Sequence, residues 1–348
     1  MVTIRDVAKD SGFSSTTVSI VLNNAPLSRY IPVKTKKRIE KSAKKLGYRP
    51  NLFARSLRNK RTHTVGVVVF DMTDPYCIPI FRGIESALYE ASYLPILTDV
   101  HNDRARFERY LEMLLDRRVE ALIVLANWLF VNIDVLGDLE KSSIPTVMIG
   151  QELENDSISS VTVDNESGAR SAIDHLYALG HRHIAFIRGP KTLGDSAPRW
   201  KGIRTFAKAH HLELDPQLIV DLPESRDPAS SFASGFSLTT ELLSRNRPFT
   251  AVVAFDDMTA FGAIRALTQA GLRVPEDCSV IGFDDIAASS LYTPALSTVS
   301  QPLDEMGQLA VGLVSDGINA LLEKKPVPAL HRKLMPRLAA RDSTAKPR

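Results

Sequence analysis

Nine short apolar runs recur between residues 64 and 283, separated by stretches long enough for helices. They cover 64–70, 94–98, 121–125, 146–149, 160–163, 183–187, 218–221, 251–255 and 279–283. Runs of four to seven residues rich in Val and Ile fit strands buried on both faces, and helix-length spacers make such strands parallel. Nine is too many for one sheet of ordinary size. The pattern therefore predicts an α/β body of two doubly wound parallel-sheet lobes, with a first break near residue 160.

Open parallel sheets bind ligands beyond the carboxyl ends of their strands, and polar residues gather there. Asp71 ends the first run, and Asp99 and His101 follow the second. Asn127 and Trp128 follow the third and Gln151 the fourth. Asp164-Asn165, Asp256-Asp257 and Asp284-Asp285 follow later runs. A crevice lined by carboxylates and amides, with Tyr76 or Trp128 as an aromatic wall, suits a neutral polyhydroxylated molecule. A nucleobase or nucleoside would stack on the same rings. Aspartates at such positions also cap helices, and the second Asp of each pair is read that way.

Several chemistries are disfavoured. No GxGxxG or GxxxxGK[ST] motif is present, so no dinucleotide or triphosphate cofactor is expected. The paired acids lack an accompanying GxSxG nucleophile, and an enzyme is not expected. His181 and His183 have no third ligand in view and are read as structural, with no metal site. Cys77 and Cys278 fit no paired spacing and are read as free thiols of a reducing cytosol. With no apolar leader in 1–6 and no membrane-length apolar run, the chain is expected in the cytoplasm, with no membrane partner.

The region before the body is different in kind. The chain carries 43 Lys+Arg and 40 Asp+Glu, a net charge of +3. Residues 1–61 hold 15 of the bases and three of the acids, a balance of +12, which leaves −9 for the rest. Such a basic head reads as a module for a polyanion. Ile4, Val7 and Ala8 form a short apolar stripe behind Thr3, a candidate cap. Gly12 breaks the pattern, and Ser14 can cap a second helix with Val18, Val21 and Leu22 inward. Two short helices around a glycine turn give a helix-turn-helix. The outer face of the second shows Ser15, Thr16, Ser19, Ile20 and Asn23, sized for close approach to phosphates and base edges. A third helix over about 34–46, stopped by Gly47, turns Lys34, Lys36, Lys37, Arg38, Lys41, Lys44 and Lys45 outward with one acid, Glu40.

These residues resemble the headpiece of the lactose/galactose repressor (LacI/GalR) family. The likeness lies in Thr3-Ile4-Arg5-Asp6-Val7-Ala8-Lys9-Asp10-Ser11-Gly12-Phe13-Ser14, Thr17-Val18-Ser19, Val21-Leu22-Asn23 and Leu46-Gly47-Tyr48-Arg49-Pro50-Asn51. The resemblance implies base contacts in the major groove from Ser15, Thr16 and Ile20, and phosphate contacts from Thr17, Ser19 and Asn23. Many relatives carry Arg where this chain has Ile20. Arg pairs with guanine, whereas Ile reaches only an apolar surface such as a thymine methyl. The loop 24–32 is a few residues longer than in many relatives. The resemblance also makes 50–61 a hinge helix that orders on the operator. Asn51, Ala54 and Arg55 would meet DNA there, and Leu57 would wedge into the minor groove.

The likeness continues through Val163-Asp164-Asn165, Leu179-Gly180-His181-Arg182-His183-Ile184-Ala185, Phe255-Asp256-Asp257-Met258, Gly282-Phe283-Asp284-Asp285 and Leu296-Ser297-Thr298-Val299-Ser300-Gln301-Pro302. It implies a periplasmic-binding-protein-like body in which Arg199, Asp256 and Asp284 reach an effector, joined by Asp71, Tyr76 and Trp128 from the strand-end reading. The expected plan is an all-α helix-turn-helix headpiece at 1–49, a hinge at 50–61, an effector-binding and dimerisation domain at 62–342 and a tail at 343–348. Lobe 1 would take about 62–160 plus 293–320, and lobe 2 about 161–292 plus 321–342. The implied function is a transcriptional repressor, a homodimer on double-stranded, pseudo-palindromic DNA, controlled by a small-molecule effector. A sugar is the first expectation and a nucleobase or nucleoside the alternative. A rival of another class is a cytosolic solute-binding module with no regulatory DNA contact.

Overall fold

The computed structural model describes residues 2–23, 25–48, 61–126, 136–153, 157–225, 227 and 230–348. The hinge residues Asn51, Ala54, Arg55 and Leu57, and Trp128 of the expected crevice, lie outside the described residues. The chain divides into two compact units, 1–62 and 63–348, close to the charge boundary at 61.

The first unit holds α1 (Ile4–Ser11), α2 (Ser15–Leu22) and α3 (Val33–Leu46). Thr3 and Asp6 form a capping box. The Thr3 amide donates to the Asp6 carboxylate at 2.8 Å, and Asp6 N–H donates to Thr3 Oγ1 at 3.4 Å. Two donors freed by the start of α1 are thus satisfied together. Gly12 ends α1 with φ +76°, a left-handed conformation open to glycine. Val7, Val18 and Ile39, one from each helix, are fully buried at the centre. Asp10 ties α1 to α3, accepting from Ser42 and from Lys45 Nζ at 2.7 Å.

In the second unit, β1 (Thr64–Val69), β2 (Leu94–Asp99), β3 (Ala121–Leu125), β4 (Thr146–Ile149) and β5 (Ser159–Val163) join β11 (His331–Leu334) in one sheet, ordered β11-β5-β4-β3-β1-β2. A second sheet takes β6 (Ile184–Arg188), β7 (Ile219–Asp221), β8 (Ala251–Ala254), β9 (Ser279–Asp284), β10 (Ser297–Ser300) and β12 (Arg337–Ala339), ordered β12-β10-β9-β8-β6-β7. Strand alternation sorts the core. Val65, Val67 and Val69 pack under α4 (Cys77–Glu90) and α11 (Leu303–Leu322), while Val68 and Phe70 pack under α5 (Arg104–Asp116) and α6 (Leu136–Lys141). The second sheet is sandwiched likewise. One face carries α7 (Asn165–Leu179) and α8 (Ser196–Ala209), and the other α9 (Ser230–Ser244) and α10 (Asp257–Gln269). In α4 and α11, glycines allow near-contact of the two backbones. A Cβ on Gly83 would fall 2.1 Å from Asp304 O, and one on Gly307 2.2 Å from Ile80 O.

The lobes exchange chain three times, and the crossings differ from the expected ones. The chain passes over after β5, after β10 and between β11 and β12. Residues 297–300 therefore belong to the second lobe and 331–334 to the first. Both strands are short, and β11 (His-Arg-Lys-Leu) is polar at three of its four residues and exposed at the same three, so neither carries a hydrophobic signature of its lobe. β12 also breaks the all-parallel expectation, pairing antiparallel with β10. The chain leaves β11 at that strand's carboxyl end and enters the second sheet beside the carboxyl end of β10, Arg337 facing Ser300. From there it can only run backwards.

Residues 343–345 are built in, not a tail. Ser343 O accepts from Val280 N at 2.8 Å, Ser343 Oγ accepts from Ser297 N at 2.8 Å, and Ala345 O is 2.8 Å from His181 Nε2. Ser343 is fully buried. Cys77 and Cys278 are free and buried. Among the described residues no helix is long and apolar enough to cross a membrane. Removing 343–348 orphans two buried backbone N–H groups. At about 1–3 kcal/mol each, the truncated chain should unfold with several kcal/mol less stability, measured by thermal or urea denaturation.

Candidate functional site

Two places carry functional side chains. In the headpiece, Ser14 caps α2, accepting from Thr17 N at 3.1 Å and lying 2.8 Å from Thr17 Oγ1. Val18 and Val21 point inward, so the spacing turns Ser15 and Thr16 into solvent on the first turn. Ser19, Ile20 and Asn23 are half-buried one turn further on. Asn23 Nδ2 donates to Ser19 O at 2.9 Å and to Ser19 Oγ at 3.2 Å, which fixes both side chains before any ligand arrives. Lys34, Lys37, Arg38, Lys41 and Lys44 on α3 are exposed. Lys45 is held by Asp10, and Arg38 lies over the Phe13 ring at 5.6 Å. Five of the six residues expected at the interface lie on α2 and Asn23 is its C-cap, and the exposed side of this short helix is uncharged within a cationic unit.

In the body, a small crevice opens where the strands end. Asp74, Pro75 and Tyr76 follow β1. Leu193 and Asp195 follow β6, and Phe255 and Asp256 follow β8. In each sheet this is where strand order reverses, between β1 and β3 and between β6 and β8. Such a reversal leaves a gap between helices going to opposite faces.

Arg199 is the centre of the site and is 7% exposed. Its Nε donates to Asn165 Oδ1 at 2.8 Å and its Nη1 to Phe255 O at 2.6 Å. Its Nη2 lies 3.4 Å from Asp195 Oδ2 and 3.7 Å from Asp284 Oδ1. The Phe283 and Phe255 ring centroids are 3.6 and 4.5 Å from its central carbon. Asp284 also accepts from Gln301 Nε2 at 2.6 Å, and Asp195 from Asn165 Nδ2 at 2.8 Å. Asp256 caps α10, accepting from Thr259 N at 2.6 Å. Burial pushes all three carboxyls above their ordinary range, against the pull of Arg199, and Asp284 furthest. With Asp74, four carboxyls line a space that holds one guanidinium. The site presents acceptors and apolar walls, and it opposes an anionic ligand.

Arg199, Asp256, Asp284 and Tyr76, named from the sequence, line this one crevice. Asp71 does not line the crevice. Its carboxylate turns back to accept from Thr73 N at 2.9 Å, because a short loop of Asp followed by Thr satisfies itself locally. Asp74, three residues on, takes the place. Asp195 and Phe255 were missed. Asp195 stands four residues before Arg199 on one helix face, a spacing that favours an ion pair and was readable. The capping assignment is reversed. Asp256, the first of its pair, caps the helix, while Asp257 is fully buried. Asp257 accepts from Ile286 N at 2.9 Å, Ser289 Oγ at 2.7 Å and Thr298 Oγ1 at 2.5 Å. Asp285 pairs with Arg341 at 2.6 Å. His181 is buried, with Nδ1 2.8 Å from Thr250 Oγ1, as a structural histidine should be. Among the described residues no group of three or more His, Cys, Asp and Glu could hold a metal.

A helix-turn-helix unit and a two-lobed, periplasmic-binding-protein-like body with a crevice at the strand ends define a DNA-binding regulator of a bacterial class. Comparison with known proteins agrees. Residues 3–51 match the bacterial regulatory proteins of the lacI family, and residues 173–344 match the periplasmic binding protein-like domain. The HTH-type transcriptional repressor PurR of Pasteurella multocida (strain Pm70) is 31% identical over 337 residues, 96% of this chain and 97% of that protein. The lac repressor dimer bound to operator and the anti-inducer ONPF superposes with a TM-score of 0.81 at 27% identity, over 99% of each chain. A complex of the transcriptional regulator CelR with cellobiose superposes with a TM-score of 0.72 at 28% identity, over 99% of this chain and 100% of that one. The chain belongs to the LacI family and is a DNA-binding transcriptional repressor.

Burial pushes the Asp257 carboxyl up to about 7 from 3.8. The folded state then keeps a proton that the unfolded chain has lost, so this group's contribution is full below about pH 4 and is lost as pH rises to about 7. Asp257→Asn should flatten stability over that window by up to about 1.4 kcal/mol per pH unit, read from urea midpoints at a series of pH values. An unchanged pH profile would contradict the assignment.

Proposed function

We propose that the crevice binds a nucleobase or nucleoside, and that its occupancy sets the operator affinity of a homodimer. The observation that carries this reading is the combination of flat walls and buried acceptors. Tyr76 comes from the first lobe and Phe255 from the second, with Asp195, Asp256 and Asp284 between them. A planar heterocycle stacks on such rings, and its ring and exocyclic N–H groups donate to carboxylates. The PurR relative points the same way by name. A sugar is the second reading, favoured by the cellobiose-bound neighbour, since hydroxyls also donate to carboxylates.

On the DNA side, Ser15, Thr16 and Ile20 read bases, and Thr17, Ser19 and Asn23 position the helix on phosphates. Asn51, Ala54, Arg55 and Leu57 of the hinge contact the centre of the operator, Leu57 as the minor-groove wedge. Closure of the lobes on the effector moves the surfaces through which two copies meet. The coupling must be reciprocal, since operator and effector change each other's affinity by one factor.

A thermal-shift panel on the full chain tests the effector. Adenine, guanine, hypoxanthine and their nucleosides should raise the unfolding temperature more than glucose, ribose or cellobiose does. A response to the sugars alone would reverse the order of the readings. Because an ionised carboxyl accepts more and stronger hydrogen bonds than a protonated one, and burial has raised these groups, affinity for an uncharged ligand that donates to them should weaken from pH 7.5 to pH 5, measured by calorimetry. Affinity that grows on acidification would sink the acceptor role.

A further inference from the structure

We infer that the crevice selects its effector by a donor edge: it takes an amino-substituted nucleobase or nucleoside and rejects the oxo counterpart, with Asp284 setting the choice. The inference rests on the nucleobase reading and adds to it which edge the base presents.

The lining is one-sided in hydrogen bonding. Four of its residues, Asp74, Asp195, Asp256 and Asp284, are carboxyls. An ionised carboxyl has about four acceptor positions and no donor. Among the described residues the lining holds two donor side chains, Arg199 and Tyr76. Each Arg199 nitrogen already has an oxygen partner: Asn165 Oδ1 on Nε, the Phe255 carbonyl on Nη1 and Asp195 Oδ2 on Nη2. Backbone donors around the crevice are committed as well. Gly150 N donates to Val161 O at 3.0 Å, Leu193 N to Pro190 O at 3.1 Å and Ile286 N to Asp257 Oδ2 at 2.9 Å. Among the described residues this leaves the Tyr76 hydroxyl as the one side-chain donor of the lining without a partner.

Acceptors are in surplus, and Asp284 is where this is clearest. The Gln301 amide, at 2.6 Å, and the Arg199 guanidinium, at 3.7 Å, both meet its Oδ1. Among the described residues no group donates to its Oδ2. Asp284 is 9% exposed, so water satisfies that oxygen poorly and a donor on a ligand gains there. An exocyclic amino group brings two N–H donors to such a position. An oxo group on the same ring atom brings lone pairs instead, and leaves carboxylate and carbonyl oxygens facing each other, buried and unpaired. Charge points the same way. Four carboxyls surround one guanidinium, and among the described residues the lining has no Lys or His. The field therefore favours the electropositive edge of an amino group over an oxo oxygen. Tyr76 and Phe255 stack on either ring alike, so stacking gives affinity and the carboxyls give the choice.

The test uses the full chain at about pH 7.5 and ligands matched in shape. Calorimetry should rank 2,6-diaminopurine above adenine, adenine above hypoxanthine and cytosine above uracil. Adenine over hypoxanthine and cytosine over uracil should each differ by at least about tenfold, the effect of one unpaired buried polar group. Asp284→Asn keeps an oxygen for Gln301 and puts an amide N–H2 in the place of Oδ2. It should cut the adenine-to-hypoxanthine preference by about tenfold or reverse it. A folded variant that loses both ligands equally would take the choice away from Asp284 and overturn the inference. If the variant does not fold, the wild-type ranking decides. Equal affinities within the pairs, or a preference for hypoxanthine and uracil, would overturn the inference and leave the nucleobase reading standing. Binding of glucose, ribose or cellobiose with no nucleobase bound would overturn that reading, and the inference with it.

Discussion

The body is organised around a cation that has been taken out of water. Arg199 is almost fully enclosed, with Asn165 and the Phe255 carbonyl on two of its nitrogens and Asp195 and Asp284 near a third. An unpaired guanidinium could not stay there, and removing one partner of such a buried arrangement costs about 3–5 kcal/mol. Its partners come from α7, α8, the end of β8 and the end of β9. One side chain therefore fixes four elements at the mouth of the second lobe. The carboxylates it holds line the crevice.

The two sheets explain why that space exists. Each places its order reversal at the carboxyl ends of its strands, and three strand crossings keep those ends facing one another. Residues 343–345 reinforce the arrangement from the far edge. They supply acceptors that β9 and β10 would otherwise lack.

Much of this was legible in the chain itself. The apolar runs gave the strands within a residue or two, since a strand buried on both faces can be neither polar nor long. The caps at Thr3, Ser14 and Gly47 were readable because backbone groups at helix ends need a local partner, and a local partner leaves a local sequence trace. Arg199, Asp256 and Asp284 were named through resemblance, and the structure brings them to one crevice. Asp71 misled because a carboxylate at a strand end can satisfy itself on its own loop, and Asp257 because nothing local distinguishes a cap from a buried hub. Phe255 was passed over as ordinary strand, although its ring forms a wall of the crevice.

The sequence by itself determined the division of labour: a head of +12 and a body of −9, a short helix with small polar residues outward, and a series of buried parallel strands. Those properties depend on composition and on periods of two to four residues, which the chain carries along its length. Only the tertiary structure decided which strands share a lobe, that residues 343–345 are part of the core, and which carboxylates line the crevice. Those depend on partners far apart in the chain, such as Ser160 and His331, 171 residues apart, and an interaction over that separation leaves no pattern in either local stretch.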